Sequence, residues 1–479
     1  MTAGTPLLPD ASYLLLASRL IPGLDGGFAV SVMRRARDIA EATGEWPLLL
    51  TVDVADTAVH DAHRAGWVRR GMLGAPEHLR NLFDDARADR SWLLAAVRDV
   101  AGVRDVADPA GGGSEFRLHR PETAPTAGES PDQPELRPQT RVITDADGAP
   151  VLEIPWGVGG AEWHLLDAPV RVFARDGAVA GELHGYRELY RAWVDHLAAQ
   201  SRARLDRPVV LLCESRQIGE VLVDDGPGRG RPDVRILHTT HACHVRAPFT
   251  WDAPMDAAWE RWLAVAERFE GVLWLTPTQR DDVVRRGYDR IRSFVVPHPA
   301  PAPRDASPEP GRVVMLNSLI PRKRVNHAVH AVARVPEARL VVFGTGAERD
   351  AIAALATSLG VDLDLAGHVD DPEDGWRGAD VLLLTSESEG QPLVVLEALA
   401  HGVPVVSYDM PYGPRDTLAD GGGMLVPSGD VDALAAALAA VVTDRDRRDR
   451  LSAEGRAAAA KKDAASSMRA LGAAVAAAL

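Results

Sequence analysis

The chain has 479 residues, which is long enough for more than one hydrophobic core and suggests about two to four domains. Its formal charge of −15 argues against nucleic-acid binding and is unfavourable for a polyanionic substrate or more than peripheral contact with a membrane, although a local basic patch can coexist with it. Cys213 and Cys243 lie in apolar segments without metal-like spacing, so we expect reduced thiols in a cytoplasmic protein.

The first 100 residues open with the pattern of an α/β unit. "SYLLLAS" is an apolar run of strand length, "PGLDGG" signals a turn, "FAVSVMRRARDIAEA" has helical spacing, and "WPLLLTVDV" is a second apolar run. The first run is too short to span a bilayer, precedes Arg19 and lacks the flanks of a signal peptide, so we predict a buried strand. Residues 58–100 are predicted to be helical.

An antiparallel β insertion is predicted for residues 101–185. Its first part is rich in Pro, Gly and acids, and the stretches "TRVITDADGAPVLEI", "AEWHLLDA" and "PVRVFARDGAVAGELHG" then alternate in polarity and contain Asp-Gly turn signals. The α/β alternation resumes afterwards, so residues 1–100 and 186–305 are predicted to form one Rossmann-like domain.

The second half repeats strand, loop and helix after a Pro-rich linker. Residues 306–450 are therefore predicted to form a second doubly wound, Rossmann-like domain, and residues 451–479 to be helices that pack back across the domains. The fold class is α/β, with two such domains facing a cleft. Ligands bind open α/β sheets at the carboxyl ends of the strands, so the loops lining this cleft are the candidate site.

Two glutamates, Glu389 and Glu397, flank the start of a predicted helix in "SESEGQPLVVLEALAHG". Pro392 is predicted as the first helical residue and Gly402 as the helix stop. Glu389 would lie in the loop before the helix and Glu397 within it. The alternatives are that Glu389 only complements the helix dipole and that Glu397 lies on an exposed face.

The entry of this helix is a candidate phosphate site, because the amides of Gly390, Gln391 and Leu393 would point into the cleft. A second helix entry, in "LNSLIPRKRVNHAV", contains Arg322, Lys323 and Arg324. The helix dipole disfavours cations at this end, so a bound dianion explains them better than the alternative of a solvated basic turn.

Two further stretches follow predicted strands. Gly26 and Gly27 end the first loop and leave space for a ligand. His238, His241 and His244 could be packed histidines, sugar contacts or, least supported because no carboxylate–histidine motif accompanies them, metal ligands.

The stretch "TSESEGQPLVVLEALAHGVPVVSYDMPYGPRDTL" resembles the signature of retaining glycosyltransferases of family 4, which have the GT-B fold. The "YGPR" segment, the first-loop "GG", "LTPTQRDDVVRRG" and the β insertion are similar to the subgroup of wall-teichoic-acid α-glycosyltransferases and transferases that start glycans on serine-rich adhesins. The resemblance covers nearly the whole chain. It is strong in residues 310–430 and rests on pattern alone in residues 60–200.

The resemblance implies a catalytic set of Glu389, His241 and Lys323. Glu389 and His241 would contact the transferred sugar, Lys323 the donor diphosphate, Glu397 the ribose hydroxyls, and the backbone of residues 367–369 the base. The implied donor-binding residues are Gly26, Gly27, Ser318, Arg322, Lys323, Arg324, Gly367, His368, Val369, Gly390, Gln391, Pro392, Leu393 and Glu397.

Two positions depart from the family pattern. An arginine is usual five residues before the lysine, where this chain has Ser318, so Arg322 or Arg324 would have to compensate or the diphosphate would bind more weakly. The residue after Glu389-Gly390 is often aromatic, and here it is Gln391, which leaves the identity of the donor open.

The implied activity is transfer of a hexose or N-acetylhexosamine from a UDP-sugar to a hydroxyl of a polyol-phosphate polymer, a glycan or a protein, with an α-linkage. No DxD-type metal site is evident in the sequence, so neither a metal nor another cofactor is expected. A homo-oligomer formed through the β insertion is also implied. Two alternatives stay open, a non-catalytic partner of another transferase and a nucleotide-sugar epimerase on the same fold.

Overall fold

The computed structural model describes most of the chain and divides it among three sheets. The residues described are 6–24, 26–97, 116–119, 139–156, 165, 168–223, 234–304, 307–369 and 371–479.

Seven of the described strands form a parallel sheet in the N-terminal domain, in the order β12-β11-β10-β9-β1-β2-β3. Their residues are mostly apolar, as expected for strands covered by helices on both faces. The strands are β1 (Ser12–Ala17), β2 (Leu48–Thr51), β3 (Leu79–Asn81), β9 (Val209–Cys213), β10 (Val234–Thr239), β11 (Gly271–Trp274) and β12 (Ser293–Val295). The helices of this domain are α1 (Gly26–Thr43), α2 (Thr57–Arg69), α3 (Leu82–Ala88), α4 (Ser91–Ala96), α5 (Gly185–Leu205), α6 (Arg216–Val223), α7 (Ala257–Val265) and α8 (Pro277–Arg285).

The segment 58–100, predicted as helical throughout, contains a strand. Residues 79–81 pair in parallel with β2, and the Asn81 side chain then caps α3 by accepting from the Phe83 and Asp84 amides at 2.9 and 3.4 Å. A three-residue strand is too short to show an apolar period, and its pairing depends on a strand about 30 residues earlier.

The predicted antiparallel insertion is confirmed as a five-stranded sheet in the order β4 to β8. Its strands are β4 (Phe116–His119), β5 (Gln139–Thr144), β6 (Pro150–Trp156), β7 (Val170–Phe173) and β8 (Val179–Leu183). The stretch "AEWHLLDA" lies largely outside the described residues. Ile143, Leu152 and Val172 of this sheet belong to the same buried cluster as Leu14 of β1 and Trp193 of α5. The described part of the insertion is therefore packed into the core of the N-terminal domain.

The second half contains a six-stranded parallel sheet in the order β15-β14-β13-β16-β17-β18, which confirms the predicted doubly wound arrangement. Its strands are β13 (Arg312–Leu316), β14 (Arg339–Phe343), β15 (Leu363–Gly367), β16 (Val381–Leu384), β17 (Val405–Asp409) and β18 (Gly423–Pro427). Its helices are α9 (Val325–Val332), α10 (Arg349–Leu359), α11 (Pro372–Trp376), α12 (Leu393–His401), α13 (Pro414–Thr417), α14 (Val431–Thr443), α15 (Arg445–Lys461) and α16 (Ala464–Ala478).

The last helix, α16, packs against the N-terminal domain. Leu471 and Val475 lie in the same buried cluster as Leu15 of β1, and the Ser467 hydroxyl donates to the Pro297 carbonyl at 2.8 Å. The chain thus crosses between the domains twice, once through the linker and once before α16. In the part of the chain that the structure describes, no helix combines the length and apolarity needed to cross a bilayer.

We expect Gly472→Ala to destabilise the protein. An added Cβ would lie 2.1 Å from the Leu7 carbonyl oxygen, and such overpacking costs typically about 1–3 kcal/mol. Helix propensity alone favours alanine by about 1 kcal/mol, so the two effects predict opposite signs. Urea unfolding would decide between them, with Ala473→Ser on the exposed face of the same helix as control. A higher free energy of unfolding for Gly472→Ala would show that Leu7 moves away at little cost.

Candidate active site

Loops that follow strands of the two parallel sheets meet in the cleft. A Cβ built on Gly390, after β16, would lie 2.3 Å from the carbonyl oxygen of His241, which follows β10. Gly27, at the start of α1, lies opposite Leu393, with 3.8 Å between a built Cβ and the leucine Cδ1. Backbones from the two domains therefore approach so closely that Gly390 leaves no room for a side chain.

Glu389 and Lys323 are joined directly. The lysine Nζ lies 2.5 Å from Glu389 Oε1, and Arg322 Nη1 lies 3.4 Å from Oε2. The Glu389 backbone is also fixed, because its amide donates to the Pro411 carbonyl and its carbonyl accepts from the Tyr412 amide. Burial raises the pKa of Glu389, but Lys323 and then Arg322 outweigh it and hold that pKa below its ordinary value. The site is thus an ionised carboxylate between two cations.

Arg324 points to different partners. Its guanidinium pairs with Glu387 at 2.7 Å and reaches the Ser428 hydroxyl at 3.4 Å. Ser318 is exposed in the loop after β13, and its carbonyl accepts from the Ile320 amide. Of the two arginines named as substitutes for the missing cation at this position, only Arg322 contacts Glu389.

Helix α12 begins one residue later than the sequence predicts. Pro392 is its N-cap, with φ −69° and ψ 116°, so Leu393 is the first helical residue, and Gly402 ends the helix at φ 68° as predicted. Glu397 is only 6% exposed, which excludes the alternative of an exposed helix face. Its carboxylate lies 2.8 Å from Nη1 of Arg34 on α1, so this ion pair bridges the domains.

Several predicted donor-binding residues have other contacts in this structure. The Gln391 side-chain oxygen accepts from the His298 amide of the linker at 2.7 Å, and the Gly367 carbonyl accepts from the Gly344 amide at 2.7 Å. His368 is exposed beside Gly23 of the first loop, and Val369 is half-buried next to it. Gly26 starts α1 at φ 51° with open space around it. The donor-binding roles of these residues stay predictions.

The three histidines after β10 have different environments. His238 packs between Trp262 and Phe269, and His244 stacks on Tyr412, and burial lowers the pKa of both histidines to about 3. His241 is brought to the cleft, with Nε2 at 2.6 Å from Glu214 Oε2. Within the described ranges, no group of three or more His, Cys, Asp or Glu is arranged to hold a metal ion.

Three charged residues of this region were not identified from the sequence. Arg34 and Arg35 are neighbours on α1, and Glu214 follows β9 directly. Glu214 is fully buried and pairs with Arg35 Nη1 at 2.7 Å. The sequence contained a signal for two of them, because Glu214 directly follows an apolar strand at the ligand-binding edge and Arg35 lies between apolar residues on the buried face of α1.

The architecture, with two facing doubly wound domains and an antiparallel insertion, is that of a GT-B protein. Residues 301–458 match the family described as "Glycosyl transferases group 1". Residues 301–458 are therefore similar to group 1 glycosyltransferases, and the chain has the GT-B fold, as the resemblance implied.

Similar proteins include one curated relative and two solved structures. Over 302 residues, 60% of this chain and 42% of the relative, the chain is 25% identical to a poly(glycerol-phosphate) α-glucosyltransferase of Bacillus subtilis (strain 168). The matched part of this chain therefore spans less than half the length of that relative. A TarM variant of S. aureus, solved with fondaparinux, α-GlcNAc-glycerol and UDP, matches with a TM-score of 0.69 at 15% identity, over 96% of this chain and 99% of that one. The pneumococcal O-GlcNAc transferase GtfA, solved with UDP and GlcNAc, matches with a TM-score of 0.66 at 16% identity, over 96% of this chain and 97% of that one.

We expect the contribution of Glu214 to stability to disappear in acid. Burial raises the pKa of Glu214, but the Arg35 charge and His241 outweigh it and lower that pKa from 4.5 to about 2. A depressed pKa stabilises the folded state above the unfolded-state pKa, and this stability is lost as pH falls toward the folded-state pKa.

The test is urea unfolding of the wild type and Glu214→Gln between about pH 6 and pH 3. The free energy of unfolding of the wild type should exceed that of Glu214→Gln by about 3 kcal/mol at neutral pH, and this difference should decrease below about pH 4.5. A difference in unfolding free energy that is the same at every pH would contradict the ion pairing of Glu214.

Proposed function

We propose that the chain is a retaining glycosyltransferase that moves a hexose or N-acetylhexosamine from a UDP-sugar to an acceptor hydroxyl, forming an α-linkage. The observation that carries this proposal is the Glu389–Lys323–Arg322 cluster at the entry of α12, with Glu397 one turn further along the same helix. The cluster combines cations for a diphosphate with carboxylates for hydroxyl groups, which are the two chemical parts of a nucleotide sugar.

The donor would take over contacts that the site now makes internally. Lys323 and Arg322 would turn from Glu389 to the diphosphate, assisted by the amides of Gly390, Gln391 and Leu393 at the helix entry. Glu389 would then accept hydrogen bonds from the sugar hydroxyls. Glu397 would accept hydrogen bonds from the ribose hydroxyls, either in place of its contact with Arg34 or in addition to it.

Bond cleavage leaves a diphosphate with growing negative charge. Cations already fixed near this charge lower the barrier by several kcal/mol in a site that excludes water. The acceptor hydroxyl would attack the anomeric carbon on the face from which the phosphate departs, and the departing phosphate would accept the hydroxyl proton. This step requires no metal and would retain the configuration of the anomeric carbon. Closure of the two domains would limit hydrolysis of the donor.

The acceptor is proposed by chemical class. The curated relative is named for poly(glycerol-phosphate), and one similar structure is named for O-GlcNAc transfer. We therefore propose a hydroxyl on a polyol-phosphate polymer, a glycan or a protein side chain. The −15 charge of the chain makes a local basic surface necessary for a polyanionic acceptor. A homo-oligomer and a cytoplasmic location stay predictions.

The variants Glu389→Gln and Lys323→Met test the enzyme claim. Thermal shift with a panel of UDP-sugars and other nucleotide sugars would first identify the donor, which at 100 times its Kd should stabilise the wild type by about 2.7 kcal/mol. Transfer to candidate acceptors, followed by mass spectrometry, should then fall about 10²- to 10³-fold in Lys323→Met and similarly in Glu389→Gln. Glu387→Gln, a carboxylate two residues away, should retain most activity.

The outcomes separate this proposal from its alternatives. A wild type that binds no nucleotide sugar would refute the transferase. Donor binding without transfer or hydrolysis would favour a non-catalytic partner, the alternative that Ser318 supports. Conversion of the donor with no acceptor present would indicate an epimerase.

We also propose that Arg322 supplies the cation missing at Ser318. Because Arg322 contacts Glu389 and Arg324 pairs with Glu387, we expect Arg322→Ala to weaken donor binding about tenfold or more and Arg324→Ala to have a smaller effect. Donor titration by calorimetry would measure both dissociation constants at one ionic strength. A larger loss in Arg324→Ala would reverse the assignment.

A further inference from the structure

Glu214 and His241 come from neighbouring strands of the N-terminal sheet. Glu214 follows β9, and His241 lies two residues beyond β10, which pairs with β9 in parallel. The Glu214 amide donates to the Leu16 carbonyl at 2.8 Å, which extends the sheet contacts past the end of β9. The carboxylate therefore stands on a rigid element under the cleft.

Both carboxylate oxygens of Glu214 have a specific partner. Oε1 accepts from Arg35 Nη1 at 2.7 Å and Oε2 is 2.6 Å from His241 Nε2. The same Arg35 nitrogen lies 2.6 Å from the Thr239 hydroxyl at the end of β10. The glutamate side chain is fully buried, whereas His241 keeps 14% of its side chain exposed. The exposed end of this chain of contacts is thus the imidazole.

The protonation of His241 follows from the charge of its partner. Arg35 keeps Glu214 ionised, and an ionised carboxylate can only accept hydrogen bonds. Nε2 must therefore carry a proton, which in the neutral ring leaves the lone pair on Nδ1. The edge-on contact with Phe28 at 5.0 Å and the stacking on His298 at 5.7 Å fix the plane of the ring.

We propose that Glu214, held by Arg35, is a positioning residue that fixes His241 as the Nε2–H tautomer, so that Nδ1 accepts a hydrogen bond from a hydroxyl of the transferred sugar. The part that concerns the sugar rests on the proposed function. Glu214 touches neither donor nor acceptor and acts only through the imidazole.

The geometry exceeds what an ion pair in the core requires. A buried arginine and a buried glutamate can satisfy each other in a bidentate pair, which is the stronger arrangement for two such side chains. Here Arg35 uses one nitrogen for Glu214 and Thr239, and the second carboxylate oxygen is given to a partly exposed histidine. Arg35 therefore contacts only one carboxylate oxygen of Glu214, and the other oxygen contacts the imidazole of His241.

The wild-type protein provides the first test and needs no variant that must fold. Nitrogen-15 NMR of histidine-labelled protein, with the His241 signals assigned by their loss in His241→Asn, reports which ring nitrogen carries the proton. We expect neutral His241 to be the Nε2–H tautomer. A predominantly Nδ1–H imidazole would overturn the proposal, whatever the activity of the protein.

Variants then show whether Glu214 acts through His241. Glu214→Gln should lower kcat for transfer about 10- to 100-fold, the range for losing one charge-assisted hydrogen bond, and should shift the tautomer ratio. In a His241→Ala background the same substitution should have little further effect on kcat. Additive losses in this cycle would overturn the proposal.

Two further variants control for folding. Glu220→Gln removes the charge of another buried carboxylate that pairs with an arginine, Arg261 at 2.9 Å, and should leave kcat near the wild-type value. If Glu214→Gln does not fold, Glu214→Asp keeps the charge for Arg35 while withdrawing it from the imidazole, and it should show the same loss of kcat and the same tautomer shift.

Absence of transfer by the wild type with every donor would refute the proposed function, whereas the NMR result would still decide the tautomer.

Discussion

Two adjacent arginines on α1 connect the halves of the candidate site. Arg34 pairs with Glu397 of the C-terminal domain, and Arg35 pairs with Glu214 at the carboxyl edge of the N-terminal sheet. Since α1 is one rigid helix, the carboxylate expected at the ribose and the carboxylate behind His241 are held at a fixed relative position. A shift of α1 would move both, so the geometry of the cleft depends on how this helix is seated.

The charged side chains of the cleft pair with one another. Glu389 is neutralised by Lys323 and Arg322, and Glu397 by Arg34, because a buried carboxylate without a partner would cost several kcal/mol. The proposed donor would replace these ion pairs by cation–phosphate contacts and by hydrogen bonds from hydroxyls to the carboxylates. These charged groups are already partly removed from water in the folded protein, which lowers the desolvation cost of binding the donor.

Local charge and overall charge differ in sign at this site. The chain has a formal charge of −15, yet Arg322, Lys323 and Arg324 concentrate three cations at one helix entry. The structure divides them, since Arg324 is bound to Glu387 while the other two face Glu389. The effective positive charge in the cleft is therefore smaller than the sequence suggests and is focused on one carboxylate.

The sequence by itself determined the α/β class, the parallel sheets, the insertion and the helix that carries Glu397, because apolar period, turn residues and the Gly402 stop are local signals. It also placed Glu389 and Lys323 at loops of the cleft, although their roles are still predictions. Only the tertiary structure decided which charges meet. Arg34 and Glu397 are more than 300 residues apart, and Arg35 and Glu214 are 179 apart. Those pairings, like the three-residue strand β3, depend on how distant strands and helices are packed, which no local pattern contains.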